Sequence, residues 1–86
     1  MPTISVFYGI VIAMFFNDHN PPHFHVRHAE HRARIAISTG DVLDGSLPTR
    51  ATRLVGEWTR LHRDELEENW RLAQDLLPLQ AIEPLS

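Results

Sequence analysis

The sequence predicts an α+β fold: an antiparallel meander sheet of four to five strands with one long C-terminal helix packed on one face. Three observations lead there. β-Branched and aromatic residues crowd the first 16 positions, short alternating segments separated by turn-formers continue to residue 45, and apolar residues recur at helical spacing from Ala51 to Leu77.

The run from Ile4 to Phe16 contains Gly9 as its one turn-former, so two strands are expected to meet at Tyr8-Gly9. Asn17-Asp18-His19-Asn20-Pro21-Pro22 follows, where two prolines and short polar side chains forbid helix and favour an extended strand-to-strand loop. His23 to His28 alternates polar with apolar residues, as does Arg32 to Ser38, which predicts a hairpin turning near Ala29-Glu30-His31. A second turn at Thr39-Gly40-Asp41 leads to a short strand around Val42-Leu43, ended by Asp44-Gly45.

Leu47-Pro48-Thr49 suits a helix entry, because proline in the first turn loses no hydrogen bond. From there Ala51, Leu54, Val55, Trp58, Leu61, His62, Leu66, Trp70, Ala73 and Leu77 form one amphipathic stripe, with Asp64, Glu65, Glu67 and Glu68 mostly off it and Pro78 ending the helix. Trp58, Trp70 and His62 are read as structural core residues on that stripe. The whole chain, residues 1–86, is expected to be a single α+β domain, with strands over about 3–45, the helix over about 49–77 and a short tail whose Ile82 and Leu85 dock on the body.

A hydrophobic content of 43% and a charged content of 22% belong to a folded globular chain, not a disordered one. The absence of cysteine excludes disulfides and thiolate metal sites, so a metal must be held by His, Asp or Glu. Ile4 to Phe16 is too short for a membrane span and no signal-peptide pattern precedes it, which makes a cytoplasmic protein with no membrane contact the expectation. The formal net charge of −3, with eight arginines and no lysine, argues against indiscriminate nucleic-acid binding and leaves room for local basic patches.

Five of the six histidines lie between His19 and His31. Strand alternation puts His23, His25 and Arg27 on one face and Phe24, Val26 and His28 on the other. Because Phe24 and Val26 must meet the helix, His23 and His25 are expected on the uncovered face together with Arg34. That arrangement supports three readings. In one the histidines are neutral, hydrogen-bonded strand residues at a protein interface. In the second, His19, His23 and His25, with Asp18 or Glu30 as an oxygen donor, chelate a divalent metal such as zinc. In the third, Arg27, Arg32 and Arg34 contact RNA phosphates, and a histidine of near-neutral pKa cleaves the strand without metal. Of the arginines, Arg27 and Arg34 are the first candidates for nucleic-acid or partner contact.

Met1-Pro2-Thr3-Ile4-Ser5, Phe7-Tyr8-Gly9-Ile10, Asp18-His19-Asn20-Pro21-Pro22-His23-Phe24-His25, Thr39-Gly40-Asp41-Val42-Leu43-Asp44-Gly45, Leu47-Pro48, Glu57-Trp58, Leu61-His62 and Glu68-Asn69-Trp70 together resemble a bacterial family known as domain of unknown function 4160. The resemblance covers nearly the whole chain. It implies no established activity. It does imply pairing with another small protein, since similar proteins are commonly encoded beside one and such pairs are sometimes treated as candidate toxin–antitoxin modules. Arg27-His28-Ala29-Glu30-His31 departs from the hairpin expected of the family, so His28 and His31 weigh less than His19, His23 and His25.

The function expected from these readings is that of a non-enzymatic binding module, a candidate toxin–antitoxin-like component, engaging a small partner protein through its open sheet face or an edge strand. No cofactor is certain, RNA is not favoured as a partner, and exposed strand edges leave a homodimer open. The alternative is a metal-binding protein or ribonuclease-type toxin acting through His19, His23 and His25.

Overall fold

In the computed structural model, which describes residues 2–86, five strands form one antiparallel sheet in the order β1-β2-β3-β4-β5: β1 Thr3–Phe7, β2 Ile10–Ala13, β3 His23–His28, β4 His31–Ala36 and β5 Val42–Gly45. Each strand pairs with its sequence neighbour, so the sheet is a meander. Tyr8 and Gly9 make the first turn, both with positive φ (52° and 75°), the geometry of a tight hairpin whose twist matches that of the strands.

Two helices follow, α1 Thr49–Leu61 and α2 Arg63–Gln74, where the periodicity predicts a single helix over 49–77. The interruption falls at His62, whose φ of −122° and ψ of 24° leave the helical region. Length gives a physical reason. A straight helix over 49–77 would run about 43 Å at 1.5 Å per residue, beyond the 33 Å long axis of the molecule. Dividing it lets both segments contribute to one small core. Leu61, placed on the stripe by its spacing, is 66% exposed at the junction, and Leu77 lies beyond the end of α2.

Alternation sorts the sheet into two faces. Ile4, Ile10, Ile12, Phe24, Val26 and Ile35 are buried with Val55 and Trp58 of α1 and Leu66 of α2. The Trp58 ring lies 5.5 Å from Phe7 and 5.8 Å from Phe24 between centroids, and its indole N–H donates to the Glu83 carbonyl at 2.9 Å. The tail is thereby fixed to the core, where Ile82 is buried and its amide donates to the Ile4 carbonyl. On the other face the register places Val11 beside Arg27 and Arg27 beside Arg32, and likewise Ala13, His25, Arg34 and Asp44 in a row. No helix among the described residues is long and apolar enough to cross a membrane.

Candidate metal centre

The β2–β3 loop is drawn onto the end of the sheet by α2. The Asn17 amide donates to the Ala73 carbonyl at 3.1 Å, and the Gln74 side-chain amide donates to the Asp18 carbonyl at 2.9 Å. These contacts set the Asp18 carboxylate against the first residues of β3. Its Oδ2 stands 3.0 Å from His23 Nε2 and 3.1 Å from His25 Nε2. One ligand atom from each of the three residues lies within 4.8 Å of the others. Adjacent ligands on a divalent ion at about 2.1 Å stand roughly 3.0–3.4 Å apart, so the two contacts through Asp18 already have the span of a coordination edge.

His23 occupies a different place from the one strand alternation predicts. Its side chain is fully buried instead of lying on the open face, because as the first residue of β3 it sits at the sheet's end. There α2 and the loop enclose it, with Trp70 5.4 Å away between ring centroids. Its Nδ1 meets the Pro21 carbonyl at 2.7 Å. A carbonyl only accepts, so Nδ1 carries the proton. Nε2 of the neutral ring then turns a lone pair, with no proton to donate, toward the Asp18 carboxylate, and this atom is buried without a hydrogen-bond partner. A backbone carbonyl that fixes the tautomer and turns the other ring nitrogen inward is the usual support of a metal-bound imidazole.

His25 is partly exposed and lies on the open face, its ring edge-on to Phe15 at 4.2 Å. Burial lowers its pKa below the ordinary histidine value, as do the neighbouring charges of His23 and Arg34, and together they outweigh the hydrogen bond and charge of Asp18. The lowered pKa favours the neutral form of His25, the form that ligates metal. For Asp18 the largest single effect is burial, which raises its pKa. The His25 hydrogen bond, the His19 backbone N–H and the charge that His23 and His25 each carry when protonated outweigh it, and the carboxyl stays below its ordinary value.

The arrangement changes the membership of the ligand set expected from sequence. His19 is 78% exposed on its side chain and pairs with the other Asp18 oxygen at 3.1 Å, so it stands on the rim while Asp18 takes the third position. Glu30 lies at the far hairpin beside His31, 3.8 Å away. His28 turns to the Gly9 carbonyl. Arg27 is exposed, and Arg34 is half-buried with Asp44 at 3.4 Å. Of the residues read as core, Trp58 is fully buried, whereas Trp70 is half-buried against His23. His62 is partly exposed, at the helix junction between the Trp58 ring and the Glu65 carboxylate, 2.6 Å from Nδ1. Gln74 and Phe15 shape the centre, and no local pattern marks them for that part.

The family model for Domain of unknown function (DUF4160) matches residues 9–71. The chain belongs to this family. No curated protein and no solved structure matches it. The matched region of the DUF4160 domain contains Asp18, His23 and His25, together with the arginines of the open face, and stops before Gln74.

Proposed function

We propose that this DUF4160 domain binds one divalent transition-metal ion through Asp18, His23 and His25. One observation carries the reading: Nε2 of His23 is buried beside a carboxylate with no hydrogen bond, while Nδ1 is committed to the Pro21 carbonyl. An unsatisfied buried polar atom costs about 1–3 kcal/mol, and a cation held between Nε2 and Oδ2 removes that cost. Two imidazoles and one carboxylate suit zinc, iron(II), manganese(II) or nickel(II), and three protein ligands leave at least one position open for water or a ligand. Such a centre belongs to a metal-dependent enzyme or a metal-responsive binder. In a metal-free ribonuclease reading His23 takes no direct part, because its side chain presents no exposed atom to a substrate, and of His19, His23 and His25 only His19 and His25 are accessible.

The test is metal content by mass spectrometry on untagged protein, with zinc titration of the parent, Asp18→Asn and His23→Phe. One equivalent in the parent and none in the variants is the expected result. A metal-free parent that does not take up zinc, nickel, manganese or anaerobic iron(II) ends the proposal.

A second reading, association with a small partner protein as in a toxin–antitoxin pair, is favoured by β5. All four of its residues are exposed, including Val42 at 39% and Leu43 at 42%, and it forms one edge of the sheet. An unpaired edge of this kind can accept a strand. Co-purification with the product of the adjacent gene, lost on Val42→Pro, is the expected outcome; separate elution of the two proteins argues against it.

A further inference from the structure

The open face of the sheet holds a groove of about 340 Å³ lined by Val11, Ala13 and Phe15, by His25 with Arg27, Arg32 and Arg34, and by Asp44. Its volume lies in the range of small-molecule sites, roughly 300–1,000 Å³. Arg27 and Arg32 are direct cross-strand partners in the β3–β4 register, and neither has an ion-pair partner among the described residues. Like charges placed directly opposite on adjacent strands destabilise a sheet. The neighbouring pair, His25 beside Arg34, adds a third guanidinium, which pairs at 3.4 Å with Asp44, itself 68% exposed. A chain of net charge −3 has therefore gathered three of its eight arginines on one face, in a groove that His25, one of the three candidate ligands, also lines.

We propose that this groove binds a small organic anion whose oxyanion group, carboxylate or phosphate, bridges the metal ion and the arginines while its apolar body lies on Val11, Ala13 and Phe15. The inference rests on the metal reading and names the class of ligand for the same centre. Guanidinium pairs match the flat, two-oxygen geometry of such groups. The floor is apolar, so an organic anion outcompetes inorganic phosphate. The size of the groove and the acidic balance of the chain favour a small ligand over a nucleic acid.

The test is calorimetric titration of benzoate, phenyl phosphate and inorganic phosphate into zinc-loaded parent and into the double variant Arg27→Gln/Arg32→Gln, with zinc stoichiometry measured on both. Benzoate and phenyl phosphate distinguish the carboxylate from the phosphate form of the ligand. The expected result is that one of them binds the loaded parent more tightly than inorganic phosphate does and loses roughly tenfold or more in the variant, the loss of charge-assisted hydrogen bonds, with one zinc retained. Zinc bound in both proteins with no organic anion held overturns the inference and leaves the metal reading standing. A parent that takes up none of zinc, nickel, manganese and anaerobic iron(II) overturns the metal reading and the bridging role together. Arginine-dependent binding of a single-stranded RNA oligonucleotide, with none of the small anions, overturns it in favour of a nucleic-acid surface.

Discussion

Replacing His23 by phenylalanine separates a metal ligand from a purely structural histidine, because the two roles predict different energies. In the metal-free protein the substitution keeps a ring in a site that is 1% exposed, so little cavity is created. It removes the bond from Nδ1 to the Pro21 carbonyl, leaving an acceptor unpaired at about 1–3 kcal/mol. It also removes the buried Nε2 that has no hydrogen bond, which returns a similar 1–3 kcal/mol. The two changes offset, and metal-free His23→Phe is expected within about 1 kcal/mol of the metal-free parent. Zinc at 100 times its Kd adds about 2.7 kcal/mol to the parent. For a domain of 86 residues that raises Tm by roughly 11–22 °C. The variant is expected to gain nothing. Scanning calorimetry with chelator and with zinc reads all four states. A parent insensitive to zinc, or a variant with the parent's full zinc shift, refutes the reasoning. A metal-free variant weakened by about 3 kcal/mol or more, with the same zinc shift as the parent, assigns His23 to the fold alone.

Acidification of the chelated protein tests His25. Its folded pKa lies below the ordinary value, so the unfolded chain binds its proton more tightly; the stabilisation is complete above about pH 6.5 and is lost as pH falls through the folded pKa. Tm of the parent should decline from pH 7 to 5 more steeply than that of His25→Gln, and equal slopes would exclude His25 as the source. At Gly45, φ is +83° and an added Cβ would meet the Arg32 carbonyl oxygen at 2.2 Å. Gly45→Ala should therefore cost at least about 2 kcal/mol in urea unfolding. Gly56→Ala, in α1 with nothing within 4 Å, should instead stabilise by about 0.5–1 kcal/mol, and the same sign at both positions would contradict this account. Asn69 is 1% exposed and binds both the amide and the carbonyl of Gln80 at 2.9 and 2.8 Å. Asn69→Ala should cost about 2–3 kcal/mol and speed amide exchange at Ile82, and unchanged exchange there would show that the tail is held by other contacts.

Local chemistry made the sheet legible. Tyr8-Gly9 supplied the first turn, the alternation of His23 to His28 and Arg32 to Ser38 supplied the central hairpin, and the period of Ala51, Val55 and Trp58 supplied the helical face. Each signal acts over a few residues, within the reach of backbone sterics and side-chain direction. The break at His62 has no proline or glycine to announce it: an unbroken helix over 49–77 would outrun the molecule's 33 Å long axis, a limit set by the fold as a whole.

The α+β class, the meander order, the family and a histidine-rich segment beginning β3 are all legible along the chain. Which members of that segment meet depends on packing between distant elements. Alternation assigns His23 to the open face, but alternation describes a strand's middle, and His23 lies at its end, enclosed by Trp70. Spacing favours His19 as a third ligand, yet Gln74, 56 residues further along, holds the Asp18 backbone so that its carboxylate turns inward and His19 stays in solvent. Whether a polar side chain becomes a ligand or a surface group depends on which distant element covers it, and periodicity along the chain carries no information about that covering.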